Sequence, residues 1–223
     1  MSLNIHDNAS FLEHLMRSPR LAIWRREIDT ALDKEQHKRQ HFYDVITEHQ
    51  KAEFINGEII VHSPAKLEHV KSLGSLFKLL STFVEQRGLG LVGQEKMLIT
   101  LSRNDYESDI CYFPAAKASL FSDKQMKFPA PDLAVEILSP STAHVDRETK
   151  FEDYAAHGVR EYWIIDPDTQ TFEQYQLVED RYELVIKARS GNVNSLVVTG
   201  FEIPIRAIFD KDENLSALRR ILG

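Results

Sequence analysis

The chain has 223 residues, 43% of them hydrophobic and 27% charged, and its formal net charge is −7. This length suits one sizeable domain with a terminal extension, and the negative charge argues against a protein that coats nucleic acid by bulk electrostatics. No stretch approaches the roughly 18 consecutive apolar residues of a membrane span, and we expect no membrane partner. The one cysteine, Cys111, cannot form an internal disulfide, which suits a reducing cytoplasm.

Residues 1–48 are expected to form a helical N-terminal extension, followed by one domain over residues 49–223. Apolar residues recur at helical spacing in two stretches that Ser18-Pro19 separates. So few residues cannot easily build a core of their own, so we treat the extension as an appended element. The basic cluster Lys34, His37, Lys38, Arg39 and His41 is either a local basic surface or a solvated helix face.

The domain is expected to begin with a β-hairpin. Asn56-Gly57 stands between two apolar, β-rich runs, and both turn residues tolerate positive φ. An amphipathic helix is predicted over residues 67–87, closed by Gly88. Strands are predicted around residues 89–92, 96–101 and 109–113, and residues 114–131 are predicted to be a loop with about one helical turn.

The second half of the chain is predicted to contain the central strand. Residues 133–138 form a continuous apolar run that contains Glu136. A helix should follow to about His157, with Gly158 ending it. A buried strand over residues 161–166 and a hairpin over residues 171–188 come next. The order of elements predicts an α/β domain with a mixed sheet.

Two carboxylates, Asp109 and Glu136, lie in apolar runs that predict buried strands. An ionised carboxylate in a core is costly unless it is paired, hydrogen-bonded or bound to a metal. Each acid alone could simply pair with a buried basic group or cap a strand end. Two acids from separate strands instead match a site that binds a hard divalent cation and cleaves phosphodiesters.

A lysine two residues after the glutamate would complete the usual form of such a site, but that position is Leu138. Asp146, Lys150 and Tyr154 are spaced four residues apart, so they share one face of the following helix. If that face turns toward Glu136, Lys150 supplies the cation that offsets negative charge in the transition state. The alternative is an ordinary surface pair between Asp146 and Lys150.

Further candidates for the site come from the hairpin and the first long helix. Glu53 and Glu58 flank the hairpin turn, and either could be an accessory acid or a solvent-facing residue. Glu95 could likewise be an accessory acid or a solvent-facing residue. His69, near the start of the helix, either points into the cleft or lies on the surface.

Taken together, these motifs resemble the Uma-type restriction endonuclease family, which is similar in fold to the PD-(D/E)XK nucleases. The resemblance rests on the segments 53–59, 63–65, 108–110, 131–142 and 161–167, and on His69, Asp146, Lys150 and Tyr154. It implies a restriction-endonuclease-like mixed β-sheet core flanked by helices. It also implies that Asp109 and Glu136 bind the metal and that Lys150 is a catalytic lysine relocated to the helix. Ser108 stands where the family usually has proline.

The expected function is therefore that of an endonuclease dependent on Mg²⁺ or Mn²⁺, which hydrolyses DNA phosphodiester bonds with a metal-activated water. DNA is the expected partner, and a homodimer is a candidate assembly. The alternative is a catalytically inactive nuclease-fold scaffold that binds nucleic acid or protein.

Overall fold

The computed structural model describes the backbone of residues 5–47 and 49–223, with side chains from residue 10 onward. Residues 1–4 and 48 of the predicted extension lie outside the described residues. The predicted fold class is confirmed, since mixed β-sheets are flanked by helices and two helices precede them. No helix among the described residues is long and apolar enough to cross a membrane.

The N-terminal region forms two helices, α1 (Ile5–Arg17) and α2 (Leu21–Val45), as the apolar spacing predicts. The last turns of α2 pack on the domain: the Phe42 ring is fully buried, and its centroid lies 5.8 Å from that of Phe54. The extension is therefore anchored at its C-terminal end.

The predicted hairpin joins β1 (Ala52–Ile55) to β2 (Glu58–Val61). Asn56 and Gly57 take φ values of 51° and 82°, the positive values that a tight two-residue turn requires. The hairpin belongs to a five-stranded sheet of order β2-β1-β5-β4-β7. Its other strands are β4 (Leu98–Thr100), β5 (Asp105–Glu107) and β7 (Lys127–Phe128).

A six-stranded mixed sheet forms the centre of the domain, in the order β11-β10-β9-β8-β6-β3. Only the β8–β9 pair is parallel among the described strands of this sheet. The strands are β3 (Gly90–Gln94), β6 (Ile110–Pro114), β8 (Leu133–Ile137), β9 (Glu161–Asp166), β10 (Thr171–Val178) and β11 (Arg181–Ala188).

Alternation along the central strands gives the sheet two apolar faces. One face, with Ile110 and Val135, packs in the same core as α3 (Leu67–Gln86) and the C-terminal α7 (Lys211–Leu222). The other, with Cys111 and Ala134, packs in a second core with α6 (Thr149–Ala156) and the five-stranded sheet. Since Glu136 is two residues from Ala134, its side chain belongs to this second face.

Three parts of the chain depart from the sequence prediction. The helix expected up to His157 is broken at Glu148 (φ −119°, ψ −77°) into α5 (Ala143–Arg147) and α6. Strand β5 was not predicted, because three residues are too few for a visible alternation. The predicted loop contains the expected helical turn, α4 (Ala115–Ala118), and in addition the unpredicted strand β7. A short β12 (Asn192–Asn194), β13 (Glu202–Pro204) and a 3₁₀ turn precede α7.

Arg39 does not contribute to a basic surface, because it is buried at the docked end of α2. Its Nε donates to Asp105 Oδ2 at 2.6 Å, and its terminal nitrogens donate to the carbonyl oxygens of residues 101, 102 and 104. Asp105 is fully buried. The Arg39–Asp105 pair therefore fixes α2 against β5, which is hydrogen-bonded to β1.

We expect Arg39→Met to lower the free energy of unfolding by about 3–5 kcal/mol, because it leaves the Asp105 carboxylate buried without its counter-ion. Urea unfolding followed by circular dichroism measures the change. Lys34→Met, an exposed position on the same helix, should stay within about 0.5 kcal/mol of the parent protein. Equal stabilities for the two variants would contradict the anchoring role of Arg39.

Candidate active site

A cavity of about 630 Å³ opens between the two sheets and α3, and both predicted acids line it. Its charged and imidazole lining includes Lys51, His69, Asp109, Glu136, Asp146 and Lys150. The sequence-predicted residues Asp109, Glu136 and Lys150 are thus brought together at one cavity.

Strand register places Asp109 beside Glu136. Strands β6 and β8 pair antiparallel with Ile110 opposite Val135, so the next position puts Asp109 opposite Glu136. The backbone N–H of Ile137 donates to Asp109 Oδ2 at 2.8 Å, which ties this carboxylate to the neighbouring strand. The two acids are therefore cross-strand neighbours on the face that meets α6.

Lys150 lies in a cage of three carboxylates. Its Nζ is 3.0 Å from Glu53 Oε1, 3.1 Å from Asp146 Oδ1 and 3.2 Å from Glu136 Oε2. Only 3% of the Lys150 side chain is exposed. The three contacts are ion pairs by distance, and Asp146 Oδ1 accepts no hydrogen bond among the described residues. The helix break at Glu148 does not prevent Asp146 and Lys150 from sharing a face.

The cage shifts the pKa values of its members in opposite directions. Burial alone would lower the pKa of Lys150, but Glu136, Glu53 and Asp146 together raise it well above its ordinary value. Burial raises the pKa of Glu136 well above its ordinary value, and the neighbouring acids add to this against the attraction of Lys150. For Glu53, Lys150 and His62 outweigh burial and lower the pKa to about 2.

Asp109 has a separate cation, Lys51, which immediately precedes β1. The Lys51 ammonium donates to Asp109 Oδ1 at 2.7 Å, and His69 Nε2 lies 3.5 Å from the same oxygen. Burial would raise the pKa of Asp109, but Lys51 and His69 hold it well below its ordinary value. Asp109 is thus ionised at neutral pH.

The accessory candidates divide into two groups. Glu53 and His69 contact the central residues as described, and the Tyr154 hydroxyl donates to Glu136 Oε1 at 3.3 Å. Glu58 lies outside the cavity lining: its side chain is 74% exposed and pairs with Lys38 of α2 at 2.7 Å. The turn end of the hairpin faces α2, which draws Glu58 away from the cavity.

One group of side chains has the spacing that a metal ion requires. His69, Glu95 and Asp109 each offer a ligand atom, and these atoms lie within 4.8 Å of one another. Glu95 is exposed, and its backbone N–H donates to the Asp109 carbonyl at 3.1 Å. Two carboxylate oxygens with one imidazole nitrogen suit Mg²⁺ or Mn²⁺, with the imidazole favouring Mn²⁺.

Sequence reasoning missed Lys51 and His62. His62 Nε2 donates to Glu53 Oε2 at 2.9 Å, and the His62 N–H bonds the Lys51 carbonyl at 3.0 Å. A signal was present, since pairing outward from the Asn56-Gly57 turn places residue 62 opposite residue 51. Residues 51 and 53 then share a strand face because side chains alternate with a period of two.

The low pKa of Glu53 predicts a pH-dependent stability. An acid with a pKa of about 2 when folded and 4.5 when unfolded stabilises the protein above pH 4.5, and this contribution is lost as the pH falls from 4.5 toward 2. Glu53→Gln should therefore lower the free energy of unfolding at pH 7 by roughly 3 kcal/mol. The difference from the parent protein should narrow below pH 4.5.

Denaturant unfolding at several pH values between 7 and 3 measures this difference. Glu58→Gln is the matched control, since its exposed carboxylate flanks the same turn, and it should remain close to the parent at every pH. A Glu53→Gln deficit that does not change with pH would contradict the electrostatic origin of the stabilisation.

Three comparisons relate this chain to known proteins. An uncharacterized protein of Synechocystis sp. is 30% identical over 145 residues, which cover 64% of this chain and 81% of the relative. The crystal structure of a "putative nuclease belonging to DUF820" from Anabaena variabilis superposes with a TM-score of 0.65 at 20% identity, covering 79% of this chain and 96% of that one. The sequence model of the Uma2 family, described as "Putative restriction endonuclease", matches residues 39–206. The chain belongs to the Uma2 family.

Proposed function

We propose that this protein is an endonuclease that hydrolyses DNA phosphodiester bonds with the help of a divalent cation, Mg²⁺ or Mn²⁺. The observation that supports this proposal most directly is the charge balance of the ion-paired cluster around Lys51 and Lys150. The central carboxylates Glu53, Asp109, Glu136 and Asp146 meet two ammonium groups, those of Lys51 and Lys150. Two negative charges remain when all four acids are ionised, and one divalent cation would balance them.

The donor set fits such a cation. Asp109 and Glu136 are rigidly placed on adjacent strands, and His69 and Glu95 supply further ligand atoms beside Asp109. When bound, a divalent cation polarises a phosphoryl oxygen and lowers the pKa of a water molecule. Hydrolysis then needs only water: one P–O bond forms, the bond to the leaving sugar oxygen breaks, and that oxygen takes up a proton.

Lys150 would act mainly through the acids it holds. Because its ammonium lies within 3.2 Å of oxygens of Glu53, Glu136 and Asp146, it would keep these carboxylates in place beside the reacting groups. A direct contact between Lys150 and the phosphate stays a prediction. The partners of Lys150 make it part of the proposed centre in either case.

An inactive scaffold is the weaker alternative. Three carboxylates around one buried ammonium cost desolvation energy that apolar residues of similar volume would avoid. A protein that only binds a partner has no use for this arrangement. We place the enzyme in the cytoplasm, since its single cysteine is buried and free, as suits a reducing compartment.

Asp109→Asn should abolish the proposed activity. The amide removes the negative charge that binds the cation, so we expect Mn²⁺ affinity to fall at least tenfold, the scale of a lost ligand interaction. Plasmid cleavage should become undetectable. Calorimetric titration with Mn²⁺ and cleavage of supercoiled plasmid with and without Mg²⁺ measure the two effects.

Glu58→Gln, outside the cavity, should behave as the parent protein in both assays. A parent protein that binds Mn²⁺ and leaves plasmid intact would favour the scaffold. Failure of the parent to bind Mn²⁺ would contradict the metal-dependent mechanism itself.

We also propose that two copies associate through the N-terminal helices. Helices α1 and α2 present large apolar side chains to solvent, with Phe11 61% and Met16 62% exposed. Others on these helices are Leu12, Ile23, Ile28 and Leu32. A second copy carries the same surface, so a two-fold arrangement would bury both. It would also supply two active sites for two DNA strands.

The double variant Phe11→Ser, Met16→Ser should therefore shift the protein from dimer to monomer. Light scattering after size exclusion gives the mass, which is 25.7 kDa for one chain. Substitution of Leu120 by serine is the control, because this exposed apolar residue lies far along the chain from α1. A monomeric parent protein would contradict the proposal.

A further inference from the structure

The cavity contains two lysines, and their surroundings differ sharply. Lys150 is enclosed by three carboxylates and almost fully buried. Lys51 has one carboxylate partner, Asp109, among the described residues, and 21% of its side chain is exposed. Both line the same cavity. Of the two, Lys51 has fewer ion-pair partners among the described residues and is more accessible to a ligand.

A nuclease centre needs a cation that faces the phosphate, since negative charge grows on the phosphoryl oxygens as water attacks. Lys150 cannot fill this role without breaking one of its three ion pairs. Lys51 donates one proton to Asp109 Oδ1 and has two more. The backbone of Lys51 is held in place because it immediately precedes β1. The four flexible methylene groups of its side chain let the ammonium move.

Asp109 links Lys51 to the cation site. The oxygen that accepts from Lys51 is also the one nearest to His69, in the group whose spacing suits a metal. A divalent cation at this oxygen would therefore compete with the Lys51 ammonium. Repulsion between the two positive charges would turn Lys51 outward into the cavity, where a phosphate group would accept its protons.

We propose that Lys51 is a further catalytic residue, which contacts a non-bridging oxygen of the scissile phosphate once a divalent cation has displaced it from Asp109. This inference rests on the proposed nuclease function. Lys51 transfers no proton in this role: water supplies the new P–O bond, and the leaving sugar oxygen is protonated from solvent. Lys150 remains the positioning residue for Glu53, Glu136 and Asp146.

Lys51→Met separates this role from that of a simple counter-ion. Without the competing ammonium, Mn²⁺ should bind roughly fivefold more tightly, the scale of one partly exposed ion pair. Single-turnover cleavage of supercoiled plasmid at saturating Mn²⁺ should nevertheless slow about 100-fold, the scale of one lost electrostatic stabiliser. Lys51→Arg, which keeps the charge, should recover part of the rate.

Calorimetric titration, single-turnover cleavage and circular dichroism are measured on the full chain for each variant. Lys71→Met is the control, because Lys71 is exposed on α3 and lies outside the cavity lining. The Lys71→Met substitution should change neither the Mn²⁺ affinity nor the cleavage rate. An undiminished cleavage rate for Lys51→Met, or a weakened Mn²⁺ affinity, would overturn the proposal.

A parent protein that cleaves no DNA would contradict the nuclease function, and a different readout then decides the role of Lys51. Fluorescence anisotropy of a short labelled duplex in Mn²⁺ measures phosphate contact without cleavage. At least fivefold weaker binding by Lys51→Met than by Lys71→Met would support the contact between Lys51 and phosphate. Equal binding would overturn it.

Discussion

The ammonium of Lys150 is the interaction on which the site depends. It joins Glu53 of β1, Glu136 of β8 and Asp146 of α5, so one side chain connects both sheets and the helical segment that follows β8. Removing one partner from a buried ion pair leaves a charge without compensation, which costs far more than the pair contributes. Three carboxylates share this one cation. A change that disturbs the geometry of the cavity would therefore also destabilise the elements that form its walls.

The two acids expected to bind metal have different electrostatic surroundings, although they are cross-strand neighbours. Asp109 accepts from the Ile137 N–H and from Lys51, and Lys51 and His69 together outweigh burial and hold its pKa low. Burial and the negative charges of the neighbouring acids raise the pKa of Glu136, although Lys150 opposes this shift. The pKa values of these two neighbouring acids are therefore shifted in opposite directions.

Much of this arrangement follows from local rules. The Asn56-Gly57 turn fixes the hairpin, strand alternation places Asp109 and Glu136 on one face, and four-residue spacing puts Asp146 with Lys150. Sequence could not separate Glu53 from Glu58, because the choice depends on α2 packing against the turn and presenting Lys38. Lys51 was missed because it stands at a strand boundary, although its alternation with Glu53 was a usable signal. The break at Glu148 lacks the proline or glycine that marks most interruptions.

In the proposed mechanism, Leu138 explains why the site would use two lysines where one is usual. It lies on the same strand face as Glu136 and packs into the apolar core beside it, so the strand itself supplies no cation. Lys150 of α6 contacts Glu136 instead, but it is buried in the core and also contacts Glu53 and Asp146. Lys51 is the more exposed of these two lysines. Its position depends on β1, which α2 supports through the Phe42–Phe54 contact and through the Arg39–Asp105 pair on the neighbouring strand. The helical extension thereby becomes part of what positions the site.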